Sequence, residues 1–298
     1  MAKRPIKSVG MVVKRDRPEA VRLAKTLSNW LRERNRVALA EPPIASAIGA
    51  ETASREEIVT RAELIIVLGG DGTLLGIART IGAREIPILG INLGGLGFLT
   101  EVPREEATSA LERVIEGDYE VDRRITLEAR VEHGSRPAES DKRRPRNHKQ
   151  VEKFRAVNDV VLNKGPLGRM MQLDVTANGE PFCTYRSDGL IIATPTGSTA
   201  YALSAGGPIV FPTLDVLLLA PICPHTLSNR PVVLPDSFAI EVRVRVSDHD
   251  AMVSIDGQES AQLTAEDRVI VRRGSSPVML VRSEHPYFEI WRNKLRWG

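Results

Sequence analysis

The pattern of apolar and polar positions divides the chain near Tyr119. Before it, short apolar runs alternate with helical periodicity. Ile6 to Val13 predicts a first strand. Pro18 suits a first helical turn, and Ala20, Ala24, Leu27 and Leu31 recur behind it at helical spacing, with Trp30 beside them. Arg36 to Ala40 predicts a second strand, and Ser54-Arg-Glu-Glu57 is a capping box opening a short helix. Leu64 to Leu68 is an unbroken apolar run, the pattern of a strand buried on both faces. Leu74, Leu75, Ile77, Ala78 and Ile81 then keep helical spacing from Thr73. Ile86 to Ile91 predicts another strand, and Pro103 opens a Glu-rich helix ending near Gly117. Strands alternating with helices imply βαβ units and a parallel sheet.

After Tyr119 helical periodicity nearly vanishes. Short strands are expected at Ile125 to Val131, Phe154 to Leu162, Met171 to Ala177, Leu190 to Thr194, Phe238 to Val246, Met252 to Ile255, Arg268 to Val271 and Val278 to Val281. Asn178-Gly179 and Asp256-Gly257 are strong two-residue hairpin turns. The expected fold class is α/β followed by β. A Rossmann-like parallel domain spans 1–120, and an all-β sandwich spans 121–284. The tail 285–298 carries Phe288, Trp291, Leu295 and Trp297, and is expected to pack back on the first domain. Between the expected strands, 133–150 (HGSRPAESDKRRPRNHKQ) has no apolar residue larger than alanine besides its prolines. It reads as a mobile basic insert with solvated charge.

Composition narrows the function classes. A chain of 298 residues suits two domains. Hydrophobic content of 42% and charged content of 27% are ordinary for a soluble protein. A net charge of +3 is compatible with small anionic ligands and too weak to argue for nucleic acid. Aromatic content of 4% also argues against a single-strand stacking platform. Cys183 and Cys223 have no metal or redox spacing, so two reduced thiols are expected. No run approaches the ~20 apolar residues of a membrane span. Val9 to Val13 is interrupted by Lys14, too short a stretch for a signal peptide. The expectation is a cytoplasmic protein with neither a membrane nor a nucleic-acid partner.

The chemistry gathers at glycine-rich turns. Gly69-Gly-Asp-Gly-Thr73 follows the most apolar strand and precedes a helix. Glycines let the backbone approach a ligand closely, and helix amides attract phosphate. Asp71 sits past the carboxyl end of the strand, where open α/β sheets bind ligands. A carboxylate beside phosphate-sized donors suits phosphoryl transfer, the Asp accepting a proton from the attacking hydroxyl. Gly-Asp-Gly is equally ordinary turn chemistry, and its place between strand and helix is what favours a site. Asn92 to Thr100 (NLGGLGFLT) supplies a second glycine-rich loop at the same sheet edge. Neither a G-x-x-x-x-G-K-[ST] loop nor a complete G-x-G-x-x-G occurs.

In the second half, Thr194 to Tyr201 (TPTGSTAY) is dense in hydroxyls and small residues, able to meet a phosphate or ribose or simply to cap a helix. Arg186 and Asp188 add one charge of each sign before it. Asn158-Asp159 lies inside the strand-like AVNDVVL, where polar groups are expensive unless partnered. The pair could bond neighbouring backbone, or read an adenine edge and hold sugar hydroxyls.

These motifs resemble the NAD kinases. GGDGT at 69–73, AVNDVVL at 156–162, RSDG at 186–189, TPTGSTAY at 194–201, SAGGP at 204–208, PHTLSNRP at 224–231 and SIDGQ at 254–258 occur in that family's order, across nearly the whole chain. GGDGT alone is shared with lipid kinases and phosphofructokinases; its combination with TPTGSTAY and an Asn-acid pair is specific. The resemblance implies a magnesium-dependent kinase that transfers the terminal phosphoryl of ATP to the 2′-hydroxyl of the adenosine ribose of NAD. It implies Asp71 as general base, with Gly72 against the same nucleotide. It implies NAD contacts at Asn158, Asp159, Arg169, Arg186, Asp188, Thr199, Ala200, Tyr201, Ala202, Leu203, Ser204 and Gln258. The Gly69-Gly70 and Asn92 to Gly97 loops would hold the ATP phosphates, and no metal ligand is assigned. A homodimer or homotetramer is implied, with NAD near a subunit boundary. Two features depart from the family pattern: Asp159 stands where the family has Glu, and the insert at 133–150 is longer than its hairpin needs. The competing readings are a lipid kinase of the diacylglycerol type, which would need an apolar acceptor channel, and a non-catalytic NAD sensor, which would not need Asp71.

Overall fold

Leu64–Gly69 is the centre of an eight-stranded sheet, and all six of its residues are buried. In this computed structural model the described residues are 6–95, 97–134, 151–165, 170–226, 228–246, 251–265 and 267–297. Arg169 and 135–150 of the basic insert lie outside them. The chain forms two compact units, Met1–Arg124 with Ser276–Gly298, and Ile125–Ser275.

In the first unit the strands run in the order Glu51–Thr52, Val37–Ala40, Ser8–Val13, Leu64–Gly69, Pro87–Asn92, Val278–Val281, Val121–Arg124. Val102–Pro103 also pairs with Pro87–Asn92. All pairings are parallel except the last, between Val278–Val281 and Val121–Arg124. From Ser8–Val13 the chain steps outward to Val37–Ala40, then returns to the other side at Leu64–Gly69. That reversal is a topological switch point, where open α/β sheets leave a crevice beyond the strand ends. Helix Pro18–Glu33 buries Ala20, Ala24, Leu27 and Leu31 on one sheet face, beside Ala107, Ala110, Leu111 and Val114 of helix Ala107–Glu116. The short helix Arg55–Arg61 opens on the expected capping box: Glu57 N donates to Ser54 Oγ at 3.2 Å, and Ser54 N to Glu57 Oε2 at 2.7 Å.

The strand at Val278–Val281 belongs to this sheet, not to the all-β half in which the sequence reading placed it. Its apolar pattern predicts a strand but carries no information on which sheet accepts it. Helix Tyr287–Leu295 follows, burying Ile290, whereas Phe288 and Trp297 stay 60% and 51% exposed. A buried ion cluster fixes this returning segment. Arg124 is 2% exposed, and its guanidinium lies 3.1 Å from Asp122 Oδ2 and 3.6 Å from Glu101 Oε1, and donates to Tyr287 OH at 3.2 Å. Ser283 Oγ donates to Glu101 Oε2 at 3.1 Å. Burial pushes the Glu101 carboxyl above its ordinary range, opposed by the Arg124 charge.

The second unit is a sandwich of two six-stranded antiparallel sheets. One runs Val232–Pro235, Val216–Ile222, Gly189–Ala193, Asp159–Lys164, Ala251–Ile255, Glu259–Leu263. The other runs Glu180–Ser187, Met171–Ala177, Ile240–Val246, Arg268–Arg273, Leu127–Glu132, Val151–Ala156. Their inner faces share one core, in which Leu127, Leu173 and Val242 of one sheet meet Leu162, Ile192 and Val253 of the other. On the outer face of the first sheet, Ala202 and Val210 cover Val161, Ile191 and Leu218, which is why Gly189–Ala193 is buried throughout. Both expected hairpin turns form with positive φ, at Asn178 (52°) and Gly179 (84°) and at Asp256 (50°) and Gly257 (62°). The run expected as one strand from Phe154 to Leu162 is two, Val151–Ala156 and Asp159–Lys164, in opposite sheets.

Replacing Arg124 by Leu strands two buried carboxylates. Urea unfolding at pH 7 is expected to show a loss of roughly 3–5 kcal/mol.

Candidate functional site

Each unit carries its own group of candidate residues. In the first, helix Asp71–Ile81 begins at Asp71 itself, two residues earlier than expected, with Gly70 as its N-cap. Thr73 N and Leu74 N close the first turn onto Gly70 O at 2.9 and 3.3 Å. Asp71 and Gly72 therefore occupy the positive end of an 11-residue helix, just past the buried strand. The Asp71 carboxylate reaches into the second glycine-rich loop. Oδ2 accepts from Phe98 N at 2.9 Å. Oδ1 accepts from Leu99 N at 3.1 Å, Thr100 N at 3.0 Å and Thr100 Oγ1 at 3.0 Å. Gly97 must be glycine for this approach, because a Cβ there would lie 2.2 Å from Oδ1. Asn92 closes the loop from its other side, donating from Nδ2 to Thr100 Oγ1 at 2.9 Å and accepting from Gly94 N at 2.7 Å.

In the second unit the site forms where the chain leaves one sheet for the other. The break at Val157-Asn158 is held by the Asp256 carboxylate, which accepts from Val157 N (3.0 and 3.1 Å), Asn158 N (2.8 Å) and Asp159 N (3.1 Å). Asp256 N returns a bond to Asp159 O at 3.0 Å. The expected alternative, in which the Asn-Asp pair bonds neighbouring backbone through its side chains, is therefore not what holds the segment. Thr194 docks against it, its N donating to Asn158 O at 2.9 Å and its Oγ1 to Val157 O at 2.6 Å. Gly197 packs flat on Asn158, and a Cβ there would come within 2.2 Å of Asn158 O. The run after Thr194 forms a 3-10 turn, Thr196–Thr199, then one helical turn, Tyr201–Ser204, separated at Ala200.

Two polar atoms in this part, Asn158 Oδ1 and Thr196 Oγ1, are buried without a hydrogen-bond partner. Such atoms cost about 1–3 kcal/mol each unless a ligand reaches them. Asp159 is 4% exposed. Burial, with the neighbouring Asp256 charge adding to it, pushes its carboxyl up to about 7. In the run after Thr196, Ala202 is buried, Thr199, Ala200 and Leu203 are half-buried, and Tyr201 and Ser204 are exposed. Gln258 lies exposed in the hairpin turn that carries Asp256.

Arg186 and Asp188 are not gathered there. Gly189–Ala193 pairs antiparallel with Asp159–Lys164, Ala193 opposite Asp159 and Gly189 opposite Asn163. Asp188, just before this strand, thus sits at its other end, roughly 16 Å from Asp159 at about 3.3 Å per residue, and Arg186 lies on Glu180–Ser187 of the opposite sheet. Asp188 Oδ1 pairs with Lys164 Nζ at 2.7 Å, and Arg186 is exposed. The sequence reading names Asp256, Thr100 and Asn92 only as turn and loop residues and gives their side chains no role. Asp256 shows only as turn chemistry in Asp-Gly, and its acceptor role depends on an amide row nearly a hundred residues earlier.

The arrangement suits a nucleotide. In the first unit a helix N-terminus beside two glycine-rich loops is chemistry suited to phosphate, and in the second a buried acid beside unpartnered amide and hydroxyl oxygens is chemistry suited to sugar and base edges. Comparison with known proteins decides the family. Residues 9–119 match the ATP-NAD kinase N-terminal domain, and residues 157–283 the ATP-NAD kinase C-terminal domain. The NAD kinase of Geobacter metallireducens is 44% identical over 294 residues, covering 98% of this chain and 99% of that protein. The chain belongs to the NAD kinase family. It is an enzyme of that family, as the GGDGT and TPTGSTAY motifs implied. The NAD kinase of Geotalea daltonii is 41% identical over 295 residues, again 98% and 99% of the two chains. Among solved structures, yeast NADH kinase complexed with NADH superposes with a TM-score of 0.88 at 28% identity, over 99% of this chain and 89% of that one. An NAD kinase from Archaeoglobus fulgidus in complex with ATP shares the fold, with a TM-score of 0.74 at 24% identity over 98% and 99% of the two chains.

The raised Asp159 carboxyl gives a pH-dependent stability with a definite sign. The folded state holds its proton more tightly than the unfolded chain, whose value is 3.8. Stability contributed by Asp159 is therefore complete below about pH 4 and is lost as pH rises to about 7. Asp159→Asn removes that loss. Thermal or urea unfolding without nucleotide should show the variant more stable by on the order of 4 kcal/mol at pH 8, with the gain vanishing towards pH 4.

Proposed function

We propose that this chain transfers the terminal phosphoryl of ATP to the 2′-hydroxyl of the adenosine ribose of NAD, giving NADP and ADP, with Asp71 as general base. The observation that carries the assignment is the Asp71 carboxylate at the first turn of its helix, beyond the buried strand at the switch point. As the new oxygen–phosphorus bond forms, the hydroxyl proton passes to Asp71 and the bond to the ADP oxygen breaks. Phosphate charge is met by the helix N-terminus and by the backbone of the Gly69-Gly70 and Asn92 to Gly97 loops. NAD is held in the second unit by Asn158 and Asp159, with Thr199 to Ser204 and Gln258 around them. The buried, unpartnered Asn158 Oδ1 and Thr196 Oγ1 support this reading, since a bound nucleotide supplies their missing donors. Asp159 is one methylene shorter than the family's Glu; its backbone N is held by Asp256 Oδ1 at 3.1 Å, and a local shift would let its carboxylate reach the same ribose.

Magnesium accompanies the triphosphate. No group of three or more His, Cys, Asp or Glu side chains able to hold a metal occurs among the described residues. Substrate phosphates and water would supply most of its ligands, as is usual for this ion. Its charge offsets that building on the transferred phosphoryl.

Arg186 and Asp188, remote from Asp159 within one chain, fit NAD bound near a subunit boundary in a homodimer or homotetramer. No helix among the described residues is long and apolar enough to cross a membrane. The cytoplasm, where NAD and ATP are both abundant, is the location this chemistry calls for.

An end-point assay tests the assignment. The protein is incubated with NAD, ATP and magnesium, and NADP is read by an NADP-specific dehydrogenase. The native chain should form product, and Asp71→Asn should lose ~10²–10⁴-fold in turnover while still binding NAD. Native turnover in the variant would reject Asp71 as base. No product from the native chain would move the assignment first to polyphosphate as donor, then to an NAD sensor.

Arg186→Ala should raise KM for NAD with little change in KM for ATP. Unchanged KM for NAD would remove Arg186 from the site.

A further inference from the structure

The two oxygens of Asp71 are not equivalent. A carboxylate oxygen has two lone pairs. Oδ1 receives three donors, from Leu99 N, Thr100 N and Thr100 Oγ1, and Gly97 closes over it so tightly that a Cβ would overlap it. Its lone pairs are therefore taken up within the protein. Oδ2 receives one donor, Phe98 N, and keeps an accepting direction.

The Thr100 hydroxyl is itself directed. Asn92 Oδ1 accepts from Gly94 N at 2.7 Å, which fixes the amide flip and turns Nδ2 towards Thr100. Nδ2 then donates to Thr100 Oγ1 at 2.9 Å. With a lone pair so occupied, the hydroxyl must send its single proton to Asp71 Oδ1 at 3.0 Å. Both side chains are buried, Thr100 at 0% and Asn92 at 7% exposure, so water does not compete.

We infer that Thr100 and Asn92 are positioning residues of the phosphoryl transfer. They lock Asp71 through Oδ1, so that Oδ2 alone faces the attacking hydroxyl and takes its proton. The same chain of bonds ties the base to Gly94 in the loop assigned to the ATP phosphates, so base and donor loop are set in register by one network. The proton leaves the 2′-hydroxyl for Oδ2; Thr100 neither gains nor loses one. This inference rests on the reading of Asp71 as base.

The test is a double-mutant cycle. Thr100→Val, Thr100→Ser, Asn92→Asp, Asp71→Asn and Asp71→Asn with Thr100→Val are compared for kcat and for KM of NAD and ATP, with folding followed by circular dichroism. Thr100→Val should lower kcat by roughly 10–100-fold, as loss of alignment does. Both KM values should stay within about threefold, because ground-state binding is untouched. Thr100→Ser keeps the donor and should restore kcat. Asn92→Asp keeps the Gly94 bond but turns an acceptor towards Thr100, drawing its proton away from Asp71; kcat should fall as in Thr100→Val. In the Asp71→Asn background, Thr100→Val should cost less than about twofold more, since residues acting as a unit are non-additive. Should Thr100→Val fail to fold, Asn92→Asp and Thr100→Ser carry the test. Native kcat in Thr100→Val or Asn92→Asp, failure of serine to restore it, or equal losses in both backgrounds would overturn the inference while leaving Asp71 as base. Native turnover in Asp71→Asn would overturn the base and this inference with it.

Discussion

An aspartate carboxylate accepting a row of backbone N–H groups is the interaction on which both units depend. Asp71 gathers Phe98, Leu99 and Thr100, and Asp256 gathers Val157, Asn158 and Asp159. In each case the chain has left regular pairing, and its amides would otherwise be buried without partners. Hydrogen bonds to a charged acceptor contribute about 1.5–3 kcal/mol each, against about 1 for neutral ones. A single carboxylate can therefore hold an irregular segment that no ladder supports. The segments so held are the ones on which the proposed chemistry rests. Rigid sheets bring the chain to the site, and two acids fix its last few residues.

Much of this was legible in the sequence where local signal is strong. Leu64 to Leu68 has no polar position, and only a strand covered on both faces explains that. The capping box at Ser54-Glu57 and the turns at Asn178-Gly179 and Asp256-Gly257 depend on residues within a few positions, and all three form as expected. The α/β-then-β organisation likewise follows from a change of periodicity. What stayed hidden depends on distant partners. Phe154 to Leu162 shows continuous strand propensity, and nothing local announces that it must cross between sheets at Asn158. The crossing is imposed by Asp256, and a propensity pattern cannot see it. Val278–Val281 reads as a strand, but its sheet is chosen by the Arg124 cluster and by the open edge of Pro87–Asn92. Glu180–Ser187 and Glu259–Leu263 carry charged or polar residues facing outward, which dilutes the alternation that marks a strand.

The site shows the same division. Asp71 stood out because glycines isolate it between a strand and a helix. Asn158 and Asp159 stood out because polar residues in an apolar run demand a reason. Thr100 and Asn92 did not, because a threonine and an asparagine at the ends of a glycine-rich loop are ordinary turn residues. Their part emerges only from the direction of each hydrogen bond, which follows from which atoms can donate.

Asp159 joins stability to binding. A buried acid beside a second acid is costly to ionise, so the fold without nucleotide favours its protonated form near neutrality. Ribose hydroxyls donating to it favour the charged form instead. On the reading of Asp159 as a ribose ligand, sugar donors would offset the ionisation cost that the same burial imposes on the empty fold. Exposing the carboxyl to water would remove the strain, but water would then compete for every one of those donors. Asp at this position, shorter than Glu, keeps the charge close to the Asp256 clamp and deep in the unit. The preference for a nucleotide over solvent then comes from the depth of the carboxylate as much as from its identity.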